Sequence, residues 1–269
     1  MSMQAEGNLL KMKSEVGDDR KVIYRLLLGM TEINMNELVE RPIRILFSGT
    51  IHCVCCGRVT RKSFAQGFCF NCMQTAPEAE ECVLRPALCK AHLGVARDMD
   101  YALAHCLKPH FVYLANSGEV KVGVTRQSQI PTRWVDQGAS SAIKLCETPN
   151  RHIAGLVEQH LCRHFSDKTV WKKMVMNHVN KEVDWTDLRQ KALGLLTPGM
   201  LRFKSTDDQV YTFSYPVYAF PENPQTVSLD KVPVIEGHLL GIKGQYLLLD
   251  ENRVLNIRRH SGYQIILDY

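Results

Sequence analysis

Two CxxC pairs, Cys53/Cys56 and Cys69/Cys72, stand twelve residues apart, and they constrain the fold more than any other feature of this sequence. Each pair can wrap one side of a tetrahedral ion. The separation fits a four-cysteine zinc site of ribbon or treble-clef type. Gly57 frees the turn after the first knuckle. Four thiolates leave no open position, so the expected ion is structural, and Zn–thiolate bonding would offset the small hydrophobic core of the segment. Cys55 is spare, which leaves a shifted first pair open.

All ten cysteines fall between Cys53 and Cys162. A secreted disulfide framework scatters cysteines more evenly, so the clustering points to metal or redox chemistry in a reducing compartment. Downstream of the knuckles come Cys82, Cys89, His92, His105, Cys106 and His110. Cys82, Cys89, His92 and Cys106 are candidates for a second metal site of three cysteines and one histidine. Their spacing is not that of a standard knuckle, and buried free cysteines beside surface histidines fit it equally. A redox-active or iron–sulfur role is a third option.

At 269 residues, 45% hydrophobic and 23% charged, the chain has core material for two or three compact units. Its apolar runs are far shorter than the ~18–20 residues of a membrane span. The N-terminus lacks the pattern of a secretory signal, so a cytoplasmic protein without a membrane partner is expected. Residues 108–204 carry 15 Lys+Arg against 8 Asp+Glu, while the whole chain nets +5. That basic middle segment is compatible with phosphate contacts, though solvated helix faces give similar surpluses.

Taken in order, residues 21–28 and 43–51 read as strands, the first joined by the turn Gly17-Asp18-Asp19 to a plausible hairpin. Residues 111–115 and 120–124 form two strands around Asn116-Ser117-Gly118, with Lys121 and the flanking valines on opposite faces. Arg133 sits in a helical turn ended by Gly138, and residues 143–146 make a third strand. A helix begins near Pro149 and Asn150, with Ile153, Leu156, Val157, Leu161 and Phe165 as its buried stripe. Residues 168–180 and 184–196 read as two further helices. From Val234 the chain is strand-rich, a meander or partial barrel able to recruit the N-terminal strands. The fold class is therefore α+β. Its segments are a β-rich start (1–52), a zinc ribbon or treble-clef-like stretch (53–107), an α/β module with helices (108–200) and a β-rich end (201–269).

Within the module, Val112-Tyr113-Leu114-Ala115-Asn116, Lys121-Val122-Gly123-Val124-Thr125, Arg133 and Glu158 resemble the GIY-YIG nuclease module, over roughly residues 108–180. The CxxCG…CFNC start, the KVGVTR…TRWVDQGA centre and the GIKGQY…NIRRHSGY stretch resemble DUF2797, an uncharacterised bacterial family, along nearly the whole chain. The nuclease resemblance implies a small antiparallel sheet presenting Tyr113, a helix presenting Arg133 and a later helix presenting Glu158. It also implies roles. Tyr113 would be general base or water orienter, Arg133 would stabilise charge on the phosphate, and Glu158 would hold a divalent cation such as Mg²⁺. The chain departs from the pattern at Phe111, where a glycine is usual, and at Lys121, where tyrosine is. An ammonium there fits lowering the pKa of Tyr113, binding phosphate, or a module that binds without cutting.

The function expected is thus a nucleic-acid-binding zinc protein with a metal-dependent nuclease activity. The alternatives are a non-catalytic DNA- or RNA-binding protein and a thiol- or metal-sensing protein. Neither the choice of DNA or RNA nor the oligomeric state is written in the sequence.

Overall fold

A computed structural model describes residues 3–180 and 183–269. The chain begins with β1 (Gln4–Asn8), β2 (Lys13–Val16), β3 (Val22–Leu28), β4 (Thr31–Asn34), β5 (Pro42–His52) and β6 (Val59–Thr60). Helices α1 (Phe70–Thr75) and α2 (Met99–His105) lead to β7 (His110–Asn116), β8 (Val120–Arg126), α3 (Thr132–Asp136) and β9 (Ser141–Thr148). Then come α4 (Arg151–Leu161), α5 (Trp171–Val175), α6 (Trp185–Gly194), α7 (Pro198–Leu201) and β10 (Val210–Thr212). The end is β11 (Gln225–Val227), β12 (Val234–Lys243), β13 (Tyr246–Leu249), β14 (Arg253–Asn256) and β15 (Tyr263–Asp268). These elements gather into two compact units, residues 1–74, 175–177 and 213–269 in one, residues 75–174 and 178–212 in the other.

The first unit is built on strands from both ends of the chain. Its large sheet has the order β1-β15-β5-β12-β13-β14-β11, with β6 paired to β5. Residues that alternate along β15 explain the pairing: Tyr263, Ile265 and Leu267 are buried while Gln264, Ile266 and Asp268 are less so. A second sheet, β2-β3-β4, shows the same period, with Val22, Tyr24, Leu26 and Leu28 buried. The β2–β3 hairpin turns at residues 17–21, where the Gly17 N–H donates to the Lys21 carbonyl at 2.9 Å.

The second unit holds the antiparallel sheet β10-β9-β7-β8. All seven residues of β7 are buried, because both faces of this central strand are covered. On one face Val112, Leu114, Val122, Ile143 and Leu145 meet Ala154, Val157 and Leu161 of α4 and Ala192 and Leu193 of α6. On the other, the Trp134 ring lies edge-on to Tyr113 and tilted against Tyr211. Asn150 caps α4, its side chain accepting from the Ile153 N–H at 3.0 Å.

Two helical expectations need correction. Leu156 is 40% exposed, whereas α4 buries Arg151, Ala154 and Gly155 beside Val157 and Leu161. The helix is covered on a second side by the turn Pro86–Leu88: a Cβ on Gly155 would stand 2.0 Å from the Ala87 nitrogen. Only glycine permits that approach. The helix expected over residues 168–180 is confined to α5, and Asn177 adopts a left-handed backbone (φ 54°), a conformation that stops a helix.

Candidate functional site

The register of β7 against β8 sets Tyr113 opposite Gly123 and Ala115 opposite Lys121. Directly opposed residues share a face, so Tyr113 and Lys121 lie diagonally on the same side of the sheet. Gly123 makes room for the phenol. A Cβ at that position would stand 2.7 Å from the Tyr113 Oη. Tyr113 is fully buried and its hydroxyl donates to the Gln137 Oε1 at 3.1 Å. Gln137 lies one helical turn past Arg133, whose guanidinium also faces the phenol. Burial pushes the Tyr113 hydroxyl above its ordinary range, Arg133 and Gln137 opposing. The side chain is therefore a neutral phenol at physiological pH.

Strand β8 lies at the end of the sheet order, leaving outward N–H groups to be satisfied from elsewhere. The Val122 N–H donates to the Ser166 carbonyl at 2.8 Å, and the Val124 N–H donates to the Glu158 carboxylate. These two bonds bring α4 and the segment after it to one edge. Asp167 follows Ser166 there, and the charges of Arg133, Glu158 and Asp167 all act on Lys121. Lys121, a candidate site residue, is only 3% exposed. Burial, with Arg133 adding to it, pushes its ammonium down to about 8, while Glu158 and Asp167 favour the charge. Glu158 is raised to about 7 by burial and by Asp167, against Arg133, Lys121 and the Val124 N–H.

The four residues singled out in the module thus meet at one place, with two more that sequence reasoning missed. Gln137 is signalled by its i+4 relation to Arg133. Asp167 has no motif signal, since a single backbone bridge between β8 and Ser166 brings it in. Two opposed cations and two carboxylates around a phenol can hold a phosphate group together with a divalent cation.

In the first unit the Sγ atoms of Cys53, Cys56, Cys69 and Cys72 lie within 4.8 Å of one another. Tetrahedral zinc with Zn–S near 2.3 Å separates its sulfurs by roughly 3.8 Å, so this set fits a single ion. The first pair comes from the turn between β5 and β6 and the second from the start of α1. The Cys69 N–H donates to the Cys53 Sγ at 3.1 Å, as knuckle amides do. Burial opposes the Cys53 thiolate, yet amides of Cys56, Cys69 and Cys55 draw the group down to about 6. Cys55 is exposed and outside the set, so the first pair is not shifted.

In the second unit Cys82, Cys89 and Cys106 come together within the same 4.8 Å, but His92 does not join them. Its ring stacks instead on His152 at 4.3 Å, the two histidines sharing the wall of a cavity. Among the described residues no helix is long and apolar enough to cross a membrane.

A family model described as "Protein of unknown function (DUF2797)" matches residues 40–265 of the chain. No curated protein and no solved structure matches it.

Proposed function

We propose, for a chain that belongs to the DUF2797 family and takes no activity from that membership, that it is a zinc-stabilised nucleic-acid-binding protein whose α/β unit hydrolyses a phosphodiester with a divalent cation. The observation behind this reading is the meeting of Tyr113, Lys121, Arg133 and Glu158 at the edge formed by β8. A structural salt-bridge network has no need of a lysine buried to 3% beside an arginine. Two cations held together are stabilised when a polyanion arrives.

Glu158 would hold the cation, with Mg²⁺ the hard ion that suits oxygen ligands, and the ion would supply charge neutralisation at the phosphorus. Lys121 and Arg133 would receive the phosphate oxygens, the guanidinium through two parallel N–H donors. Tyr113, a phenol whose one proton is given to Gln137, suits the role of orienting group through its oxygen better than that of general base. The cluster Cys53, Cys56, Cys69 and Cys72 would hold zinc structurally, with every position filled by a thiolate.

Nicking of DNA or RNA that requires Mg²⁺ and falls by about two orders of magnitude or more in Glu158→Ala is the expected result. Undiminished cleavage by that variant would remove Glu158 from the mechanism. A second reading, binding without cleavage, is favoured by one observation: the Tyr113 hydroxyl is fully buried and already engaged. It expects salt-dependent association in wild type and Glu158→Ala alike, with no product from either.

A further inference from the structure

Three buried cysteines occupy the second unit, on elements unrelated to the nuclease-like edge. Cys82 lies in the turn Glu81–Val83, Cys89 follows the turn Pro86–Leu88, and Cys106 caps the end of α2. They are 5%, 3% and 1% exposed, with sulfurs within 4.8 Å of one another, packed among Ala91 and Ala102. A cubane iron–sulfur cluster holds its cysteine sulfurs farther apart than one ion does, so the spacing suits a single tetrahedral metal.

Charge supplies an independent argument. Arg151, at the start of α4, is 8% exposed, and its guanidinium donates to the Cys82 Sγ at 3.5 Å. Its backbone N–H donates to the Cys106 carbonyl at 2.8 Å. Among the described residues no carboxylate lies within ion-pair distance of this guanidinium; Arg126, Tyr101 and His110 are among its electrostatic neighbours, and the Glu80 carboxylate acts on Cys82 beside it. A guanidinium cannot shed its proton in a protein, and a buried one needs an opposite charge. Three neutral thiols do not provide it, and a lone Cys82 thiolate would provide it without explaining why Cys89 and Cys106 gather within the same 4.8 Å. One Zn²⁺ bound by three thiolates carries a net charge of about −1, the complement Arg151 requires.

We propose that Cys82, Cys89 and Cys106 bind a second zinc ion as a three-thiolate site neutralised by Arg151, its fourth position taken by water or another small donor. Cys89 also lines a cavity of about 440 Å³ with His92 and His152, which gives such a donor a way in. The ion would lock the turns bearing Cys82 and Cys89 to the start of α4, the helix that carries Glu158. The inference goes beyond the hydrolase reading and stands without it, and no nucleolytic readout enters its test.

Elemental analysis of the full chain, purified without chelator, is expected to give two zinc ions per chain, and one in Cys106→Ser. Exchange with ¹¹³Cd in the wild type keeps the test independent of any variant's folding. Two resonances are expected, one in the four-sulfur range and one in the range of three sulfurs with an oxygen or nitrogen donor. Arg151→Met should weaken retention at the three-sulfur site about 10-fold or more against a competing chelator and leave the other unchanged. One zinc and one resonance in the wild type would overturn the proposal. Undiminished retention in Arg151→Met would overturn its charge argument, and loss of the second ion in His92→Ala would overturn the exogenous fourth donor.

Discussion

Lys243, at the end of β12, is fully buried, and the partner of its ammonium is an amide, the Asn177 Oδ1 at 2.7 Å. The rings of Tyr215 and Phe220 lie 5.4 and 5.7 Å from the nitrogen and favour the charge without cancelling it. Burial pushes the group down from 10.5 to about 8. Below pH 8 folded and unfolded chains both carry the proton, and the full cost of the buried charge is present. Between pH 8 and 10.5 only the unfolded chain holds it, so this residue's contribution to stability rises with pH. Comparing Lys243→Met with wild type cancels the other alkaline titrations. Denaturant unfolding at pH 7 and pH 10 should shift the difference by about 2 kcal/mol in favour of the wild type. A constant difference would mean that Lys243 keeps its proton in the fold. At this scale the sequence is legible in the order of Tyr113, Lys121, Arg133 and Glu158, and in the spacing of Cys53, Cys56, Cys69 and Cys72. Burial is not legible. Lys121 alternates with valines as a surface strand residue would, and it is buried because the segment through Ser166 lies along the edge of β8. Asp167 and Gln137 escape for a related reason: a single bridging hydrogen bond and a four-residue step leave no residue pattern.

Among the elements, α4 joins the two sets of candidate side chains in its unit, with Arg151 at its start against Cys82 and Glu158 two turns on against Val124. Its extent, Arg151–Leu161, follows from Asn150 as cap and from apolar periodicity, both visible in sequence. The side it presents to the turn Pro86–Leu88 does not, because a glycine inside a helix reads as weakness rather than as contact. Two effects of opposite sign decide what Gly155→Ala does. Helix propensity favours alanine by ~1 kcal/mol. Against that, the new methyl would stand 2.0 Å from the Ala87 nitrogen and 2.3 Å from the Pro86 carbonyl carbon, both backbone atoms that cannot swing aside. The clash should win. Overpacking of this kind costs ~1–3 kcal/mol, so the variant is expected to unfold at lower urea, with metal retention at Cys82, Cys89 and Cys106 weakened in parallel. A variant as stable as wild type would show that the turn can retreat from the helix.

At the scale of the whole molecule, the cysteine-rich stretch that reads as one segment supplies each unit with its own cluster, four sulfurs in the first and three in the second. The same partition explains what local pattern could not reveal. β15 pairs with β1 on one side and β5 on the other, so the first unit closes only when the last strand has arrived. Alternation announced β5 and β15 but not the short, mostly polar β1, and pairings across more than two hundred residues carry no local signature. The order of magnitude then decides how far the loss of one ion reaches. Structural zinc contributes an apparent ~10–16 kcal/mol to small metal-bound folds, comparable with the ~5–15 kcal/mol that holds a whole domain together. The knuckle between β5 and β6 and the start of α1 should therefore not survive without their ion. Because β5 is also an inner strand of the large sheet, the disturbance should spread through the first unit. Replacing Cys53 and Cys69 by serine is expected to raise amide hydrogen exchange by at least about tenfold across β5, β12 and β15, with β7 and β9 protected as before. Equal loss of protection in β7 would mean that the two units unfold as one, and unchanged protection in β5 that the four-cysteine ion has no structural role.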